Sequence, residues 1–387
     1  MDTLARAATD APHLSVLRTQ SHTLTFRELH AETQRMEAFL HEKNVQPGDR
    51  VAAQLETGSH FISLLFATLR LGALFCPLSL RLPSLEPHLH RLSPKLCFTA
   101  HTCTSLPATP PSPRRSELLL FTSGTTGTPK IACLPRTSLE ASAASATTAL
   151  DLRPSDAWLL SLPLHHVGGL GIIFRCVHAR ACMTFSGAEA THISYVPTQL
   201  YRAWPVSKHL RCLLLGGAPI AQVPRELPIV CSYGMTETAS LVLADGRPLP
   251  GKEVKLVDGE IFVRGDSMFS GYWEHPEHTG WFATKDLGRF ENNKFVITGR
   301  KDRQFISGGE NIQPEEIELA LLEHPDVLEA VVSAKPDPEF GMRPIARIRT
   351  LNAHADLRTF LSKKLPKYKL PVEFLKMPED FKSKLVT

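Results

Sequence analysis

A run of small and hydroxyl-bearing residues, Thr122–Lys130 (TSGTTGTPK), directly follows the apolar stretch Glu117–Phe121. This succession predicts a buried strand that runs into a loop. In such a loop, backbone N–H groups and hydroxyls can gather around phosphate oxygens. The run differs from the GxxxxGK[ST] loop of nucleoside triphosphatases, because its lysine comes late and follows Pro129. The alternative to a phosphate loop of another kind is a plain turn rich in glycine and threonine.

Length and charge narrow the class of protein. The 387 residues are enough for two or three domains, and the 43% hydrophobic and 21% charged content is typical of a globular protein. The formal net charge of +4 is not gathered into a dense basic stripe with interleaved aromatic residues. Nucleic acid is therefore not an expected partner, whereas a mild positive charge suits anionic ligands.

The cysteines and the apolar stretches bear on location. Eight cysteines are scattered without a CxxC pair, which disfavours zinc ribbons and predicts reduced thiols in a cytoplasmic protein. Met1–Pro12 has no apolar core, so we expect no signal peptide. Phe61–Leu80 is the one candidate membrane span, but Arg70, Gly72 and Pro77 interrupt it. It is predicted to be a buried helix followed by a strand.

Helical and extended patterns alternate in the first part of the chain, which favours a mostly parallel sheet. Thr25 followed by Glu28 is a capping-box signature for a helix over Phe26–Lys43. The other elements predicted here are strand Arg50–Leu55, helix Ser59–Leu71, strand Ala73–Leu78, helix Thr137–Leu150 and strands Trp158–Leu162, Cys182–Phe185, His192–Pro197, Leu210–Leu215 and Ile229–Tyr233.

From Val254 the pattern changes to short strands separated by turns. The predicted elements are strands Val254–Val257, Glu260–Val263, Lys294–Thr298, Glu329–Ala334 and Ile345–Thr350, with helices Pro314–Glu323 and Ala353–Leu365. The predicted fold class is therefore α/β. A large N-terminal domain of mostly parallel sheets (1–300, with a small β subdomain at about 245–300) precedes a small mobile α+β lid domain (301–387).

A second motif, Tyr233–Thr238 (YGMTET), follows another apolar stretch. It is expected at the carboxyl edge of the sheet, where ligands of α/β proteins bind. There Glu237 could hold Mg²⁺ between phosphates, Tyr233 could stack on a base, and Thr236 could bond a phosphate oxygen. The alternative is a capped strand end without a ligand.

Together the two motifs resemble the adenylate-forming superfamily, which includes acyl-CoA synthetases, peptide-synthetase adenylation domains and luciferases. The resemblance implies ATP, Mg²⁺ and CoA as cofactors or substrates, a small carboxylic acid as the other substrate, and Glu237 as the metal ligand. It also implies an adenine pocket beside Gly216, Gly217 and Ala218, and a ribose-binding Asp286. The ATP-binding residues that it implies are Thr122, Ser123, Gly124, Thr125, Thr126, Gly127, Lys130, Gly217, Ala218, Tyr233, Gly234, Thr236, Asp286 and Arg300.

Further catalytic residues follow from the same resemblance. His166, in the segment Pro163–Gly169, matches a family histidine beside the acyl carboxylate, whereas His165 replaces an aromatic residue. A metal site at the two histidines is disfavoured, since adjacent side chains on a strand diverge. Thr122 and Glu237 join His166 in the implied catalytic set.

The carboxyl-terminal segment supplies the implied catalytic lysine. In the family a lysine that follows a proline by six residues bridges the carboxylate and the α-phosphate, and Lys384 has this spacing from Pro378. The usual glycine before it is Ser383, and Lys382 remains the alternative.

Within the superfamily the chain most resembles the o-succinylbenzoate–CoA ligases of menaquinone biosynthesis. The segments that carry this resemblance are Val196–Arg202, Ser307–Glu316, Glu339–Pro344 and Ile172–Arg175. It implies that Arg175, with His166 and Gly216, binds the acid, and that Arg175 pairs with a second carboxylate. The alternative is that Arg175 extends from a helix into solvent.

The resemblance implies two half-reactions, an adenylation that releases pyrophosphate and a thioester formation. Between them the small domain would rotate about Asp302, and Gly308 and Gly309 would line the CoA tunnel. Two alternatives stay open: an adenylation protein that serves a carrier protein, and a nucleotide-binding homologue without activity. The oligomeric state is not predicted.

Overall fold

The computed structural model describes residues 1–107, 110–115, 117–122, 129–196, 199, 207–217, 226–352 and 355–378. The helices are α1 (Thr3–Asp10), α2 (Phe26–Glu42), α3 (Ser59–Arg70), α4 (Glu86–Leu92), α5 (Arg136–Ala149), α6 (Val167–Ala179), α7 (Pro314–Leu322) and α8 (Leu357–Ser362). The first strands are β1 (Ser15–Arg18), β2 (Thr23–Thr25), β3 (Arg50–Gln54), β4 (Leu74–Pro77), β5 (Leu96–Thr99), β6 (Cys103–Ser105), β7 (Glu117–Thr122), β8 (Lys130–Pro135), β9 (Ala157–Leu159), β10 (Cys182–Thr184), β11 (His192–Tyr195), β12 (Cys212–Leu215) and β13 (Ile229–Met235). The later strands are β14 (Ser240–Ala244), β15 (Arg247–Pro248), β16 (Lys252–Val257), β17 (Glu260–Gly265), β18 (Gly271–Tyr272), β19 (Phe282–Glu291), β20 (Lys294–Arg300), β21 (Phe305–Ser307), β22 (Glu310–Ile312), β23 (Val327–Asp337), β24 (Gly341–Thr350) and β25 (Glu373–Lys376).

A nine-stranded sheet has the order β15-β14-β13-β12-β11-β9-β10-β1-β2. Its central strands are parallel, and β12 is buried along its whole length, as its apolar sequence predicts. The parallel pairing of β12 with β13 ends at Leu215 and Cys231. Beyond that point β13 continues through Tyr233 to Met235 and pairs only with the antiparallel strand β14. The second motif therefore begins inside a strand that projects past its parallel neighbour.

A seven-stranded sheet has the order β18-β8-β7-β4-β3-β5-β6. The predicted phosphate loop connects its antiparallel strands β7 and β8, whose last pair is Thr122 with Lys130. Residues 123–128 of the loop lie outside the described residues. The capping box of α2 is confirmed, because Thr25 accepts from the Glu28 backbone and the Glu28 carboxylate accepts from Thr25.

The interrupted apolar stretch folds as the sequence predicts. α3 is buried from Phe61 to Leu69, and β4 follows it after the turn at Gly72. Among the described residues, no helix combines the length and the apolar character that a membrane crossing requires. All eight cysteines are free thiols.

A four-stranded antiparallel sheet with the order β16-β17-β19-β20 contains three of the predicted strands, Val254–Val257, Glu260–Val263 and Lys294–Thr298. Strand β19, which carries Asp286, was not predicted. Its alternation is broken where the register shifts between Leu287 and Gly288, and Lys285 has a positive φ of 63°. The bulge hides the period-two pattern from which a strand is recognised.

The C-terminal part has a separate apolar core that includes Ile317, Leu321 and Leu361. There α7 and α8 accompany the three-stranded sheet β23-β24-β25, after a two-stranded ribbon of β21 and β22. The predicted helix Ala353–Leu365 is longer than α8, because Asp356 caps the helix at its start. The predicted fold class, α/β with mostly parallel sheets in the large part and a small C-terminal domain, is confirmed.

Candidate functional site

The two sequence motifs meet at the short strand β18. Tyr272 of β18 pairs with Ala132 of β8, beside the hairpin that carries the phosphate loop. The Tyr272 hydroxyl donates a hydrogen bond of 2.7 Å to Glu237 Oε1, and Lys130 Nζ lies 4.7 Å from the centre of the Tyr272 ring. Tyr272 therefore holds together one residue from each motif.

Glu237 lies in a one-turn 3-10 helix over Thr236–Thr238 at the end of β13. Its backbone carbonyl accepts from the Phe269 amide at 2.8 Å, which ties the turn to the segment before β18. Burial, followed by the charge of Glu237, raises the pKa of Tyr272, so its hydroxyl stays a proton donor at neutral pH. One oxygen of the carboxylate is thus oriented by the protein.

The described residues contain no cluster of three or more His, Cys, Asp or Glu side chains able to hold a metal ion. A lone, half-buried carboxylate fits Mg²⁺, because this ion keeps most of its waters and takes phosphate oxygens as ligands. It does not fit a resident transition metal, which needs more protein ligands.

Tyr233, Asp286 and Arg300 form a second cluster at the same edge. The Tyr233 hydroxyl donates to Asp286 Oδ2 at 2.6 Å, and Arg300 Nη1 donates to Asp286 Oδ1 at 2.9 Å. Arg300 also donates through Nε and Nη2 to both oxygens of Asp302, at 2.9 Å each. The predicted base-stacking, ribose-binding and hinge residues are thus connected by hydrogen bonds.

Burial dominates the electrostatics of this cluster. It raises the pKa of Asp286 although Tyr233 and Arg300 both act in the opposite direction. Hydrogen bonds from Arg300 lower the pKa of Asp302, which lies nearer to solvent. Asp286 is therefore a buried carboxylate whose two oxygens already have donors, and each oxygen keeps a lone pair for a ribose hydroxyl.

The predicted adenine wall follows β12. A Cβ on Gly216 would lie 2.2 Å from Ser232 Oγ, so only glycine fits beside β13. Gly217 has a φ of +87°, which favours glycine at the turn. Ala218 lies outside the described residues, as do Ser123, Gly124, Thr125, Thr126, Gly127, Lys382, Ser383 and Lys384.

His165 and His166 precede α6, and the expectation that their rings diverge is wrong. The segment is a turn and not a strand, and the ring centres are 4.1 Å apart. Burial, with His166 next to it, lowers the pKa of His165 to about 4, and burial lowers the pKa of His166. Both lowered pKa values favour neutral imidazoles at pH 7, so the predicted contact of His166 with the acid would be a hydrogen bond and not an ion pair.

Arg175 of α6 does not extend into solvent; 2% of its surface is exposed. Its Nη2 donates to Ser240 Oγ at 2.8 Å, and its guanidinium lies 5.3 Å from the centre of the Trp158 ring. Its Nε is buried without a hydrogen-bond partner among the described residues, and burial lowers the pKa of Arg175 to about 10. A buried guanidinium with an unused N–H group can bind an anionic ligand by donating a hydrogen bond to it.

Sequence reasoning missed Tyr272 and Ser240. Their partners lie 35 and 65 residues away in the chain, so no local spacing reveals either contact. The structure places Gly308 and Gly309 at the turn of the β21–β22 ribbon, with φ of 57° and 86°. Their predicted role in a CoA tunnel stays a prediction.

The AMP-binding enzyme family model matches residues 4–107 and 91–273, and the model of the AMP-binding enzyme C-terminal domain matches residues 316–382. The 2-succinylbenzoate–CoA ligase of Escherichia coli (strain K12) is 36% identical, over 95% of this chain and 92% of its own length. The o-succinylbenzoate CoA synthetase of Bacillus subtilis, in complex with the acyl-adenylate intermediate, aligns with a TM-score of 0.86 at 27% identity, over 100% of this chain and 96% of that chain. The same synthetase in complex with ATP and a magnesium ion aligns with a TM-score of 0.83 at 27% identity, over 97% and 95%.

Proposed function

The chain belongs to the AMP-binding enzyme family, and we propose that it is an ATP-dependent ligase that converts o-succinylbenzoate into its CoA thioester through an acyl-adenylate. The observation that carries the proposal is Arg175, a buried guanidinium with an unused N–H group. Such a cation is costly unless an anion joins it, and the second carboxylate of o-succinylbenzoate is an anion of the right kind.

In the first half-reaction a carboxylate oxygen of the acid bonds to the α-phosphorus of ATP, and the bond to pyrophosphate breaks. The phosphate loop from Thr122 to Lys130 provides N–H groups and hydroxyls for the phosphates, and Lys384 provides a cation at the reacting oxygens. Mg²⁺ bound at Glu237 would neutralise charge on the phosphates. Asp286 accepts hydrogen bonds from the ribose hydroxyls, and hydrogen bonds from Tyr233 and Arg300 orient its carboxylate.

In the second half-reaction the CoA thiol loses its proton to solvent, its sulfur bonds to the acyl carbon, and AMP leaves with the electrons of the broken acyl–oxygen bond. We assign residues 1–300 to the domain that binds nucleotide and acid, with a β subdomain at about 245–300, and residues 301–387 to a lid. Support for this division comes from the separate apolar core of the C-terminal part. Rotation about Asp302 would remove Lys384 and bring Gly308 and Gly309 to the thiol.

The proposal is tested by AMP release from ATP in the presence of o-succinylbenzoate, with and without CoA, and by the mass of the thioester. Arg175→Ala should raise KM for o-succinylbenzoate roughly 30-fold or more, because a desolvated charged contact is worth at least about 2 kcal/mol. The KM for ATP should stay nearly constant. Arg153→Ala, at an exposed arginine, is the matched control.

Three results would contradict parts of this proposal. A wild-type protein that prefers benzoate or a fatty acid would refute the substrate, and with it the role of Arg175. A protein that releases pyrophosphate but forms no CoA thioester would be an adenylation protein for another acceptor. If no acid led to the release of pyrophosphate, the protein would be a homologue without activity.

We also propose a cytoplasmic location, supported by the eight free thiols.

A further inference from the structure

Lys252, at the start of β16, is a lysine in an inward position. Along β16 the side chains of Lys252, Val254 and Leu256 alternate with exposed neighbours, so the lysine occupies a place where an apolar residue is expected. Only 9% of Lys252 is exposed. A lysine at such a position is buried for a reason other than packing.

The contacts of Lys252 do not balance its charge. Its Nζ lies 3.5 Å from the backbone carbonyl of Thr238, a long contact with a neutral group. Among the described residues, the carboxylate whose charge acts on Lys252 is Asp266, which is exposed and forms no ion pair with it. Burial is the main cause that lowers the pKa of Lys252, to about 7, and the charge of Arg175 lowers it further.

Lys252 and Arg175 approach the same turn from different elements. Arg175 reaches Ser240 from α6, and Lys252 reaches Thr238 from β16. The Thr238 hydroxyl donates to the Ser240 carbonyl at 2.8 Å, so the residue that Lys252 contacts is hydrogen-bonded to the residue that Arg175 contacts. The result is two buried cations around residues 238–240, with no described carboxylate paired to either.

Two like charges in a dry region repel each other and cost free energy unless an anion lies between them. We propose that Lys252 is a second cationic contact for the non-reacting carboxylate of the acid, which it shares with Arg175. This inference rests on the proposed function, and it makes Lys252 a specificity-determining residue that the sequence did not indicate. It predicts a preference for acids with a second carboxylate.

The alternative is that Lys252 only braces the turn. Ala239 and Ser240 have positive φ values of 50° and 98°, so this turn is strained and benefits from support. The two roles differ in substrate dependence. A brace affects every acid equally, whereas a carboxylate contact affects only acids that have the second carboxylate.

The test is Lys252→Met, which keeps the length of the side chain and removes its charge. Acid-dependent pyrophosphate release is measured with o-succinylbenzoate and with 4-oxo-4-phenylbutanoate, the analogue without the ring carboxylate. We expect kcat/KM for o-succinylbenzoate to fall about tenfold or more, through KM, and that for the analogue to change less than threefold. Lys255→Met, at an exposed position of the same strand, is the matched control and should change neither value. Lys252→Arg should retain most of the preference for the diacid.

The pH dependence of substrate binding gives an independent test of the contact between Lys252 and the carboxylate. The carboxylate favours the protonated lysine, so binding raises the pKa of Lys252 above its value in the free protein. The charged groups that act on Lys252 are Arg175 and Asp266. The KM for o-succinylbenzoate should therefore rise as pH increases above about 7 in the wild type, and this rise should be absent in Lys252→Met.

The midpoint of thermal unfolding also distinguishes a carboxylate contact from a brace of the turn. Loss of a buried cation without a carboxylate partner should leave the midpoint of Lys252→Met unchanged or higher at pH 6. An unchanged ratio of kcat/KM between the diacid and the analogue would overturn the inference, whether or not both values fall. If the wild type forms no thioester from o-succinylbenzoate, the proposed function itself is wrong, so the two failures are distinguishable.

Discussion

Replacing Tyr272 by phenylalanine removes one oxygen atom and with it the hydrogen bond to Glu237. The ring stays in place below Lys130, so the contact at 4.7 Å between the ammonium and the ring is preserved. The substitution thus separates the orientation of the Glu237 carboxylate from every other contact that Tyr272 makes. If the carboxylate must be oriented to hold Mg²⁺ with ATP, the variant should need more Mg²⁺.

The burial of Glu237 determines how much free energy the loss of this hydrogen bond costs. A hydrogen bond to a charged group contributes about 1.5–3 kcal/mol when its loss leaves the group unpaired. Glu237 is half-buried, so water replaces part of the lost bond, and we expect about 1–2 kcal/mol. Since 1.4 kcal/mol corresponds to tenfold, the Mg²⁺ concentration at half-maximal adenylation should rise roughly 5- to 30-fold.

The assay is pyrophosphate release at saturating o-succinylbenzoate, titrated with Mg²⁺ at fixed ATP. Tyr368→Phe, at an exposed tyrosine of the C-terminal part, is the control and should leave the titration unchanged. The thermal midpoint of Tyr272→Phe should stay within a few degrees of the wild type. Coincident Mg²⁺ titrations for Tyr272→Phe and wild type would show that the hydrogen bond does not orient the metal ligand.

Three further outcomes are expected. Glu237→Gln should reduce Mg²⁺-dependent adenylation about 100-fold with little change in unfolding, and an unchanged Mg²⁺ dependence would remove Glu237 from the site. Lys384→Ala should abolish adenylation, a loss on the order of 3 kcal/mol or more, but leave thioester formation from a supplied acyl-adenylate, and the same defect in Lys382→Ala alone would shift the assignment. Asp286→Asn should raise KM for ATP and also raise the thermal midpoint at pH 7. Burial raises the pKa of Asp286, so the folded protein loses stability as pH rises through that pKa, and an uncharged amide escapes this loss. A lower midpoint at pH 7 would contradict that reasoning.

Local signals in the sequence predicted the fold well where one interaction spans a few residues. The capping box of Thr25 and Glu28 and the fully apolar strand β12 both formed as predicted, because neighbouring residues determine them. Strand β19 was missed because its bulge breaks the alternation around Leu287. The expectation that the two histidine rings diverge is wrong because the period of a strand does not hold in a turn.

The candidate site also has residues that the sequence predicts and contacts that it does not. Motifs indicated Tyr233, Glu237 and Asp286, and the structure brings their elements to one edge. The hydrogen bond between Tyr233 and Asp286, and the contacts of Tyr272 and Lys252, join different sheets, and no spacing in the sequence encodes such contacts. A long-range partner leaves no periodic trace in the sequence, and the inward position of Lys252 is evident only from the burial pattern of β16 in the structure.

Arg300 shows how the nucleotide edge and the proposed hinge depend on each other. Its Nη1 bonds Asp286, while its Nε and Nη2 bond Asp302 in a planar fork. A large rotation of the backbone at Asp302 must either carry the guanidinium away from Asp286 or break both bonds to Asp302. The bonds to Asp302 are the ones that water replaces more easily, because 18% of the Asp302 side chain is exposed, against 10% of the Asp286 side chain. Rotation should therefore leave Arg300 with the buried carboxylate and release Asp302, so that the proposed ribose-binding group would keep its orientation while the proposed lid moves.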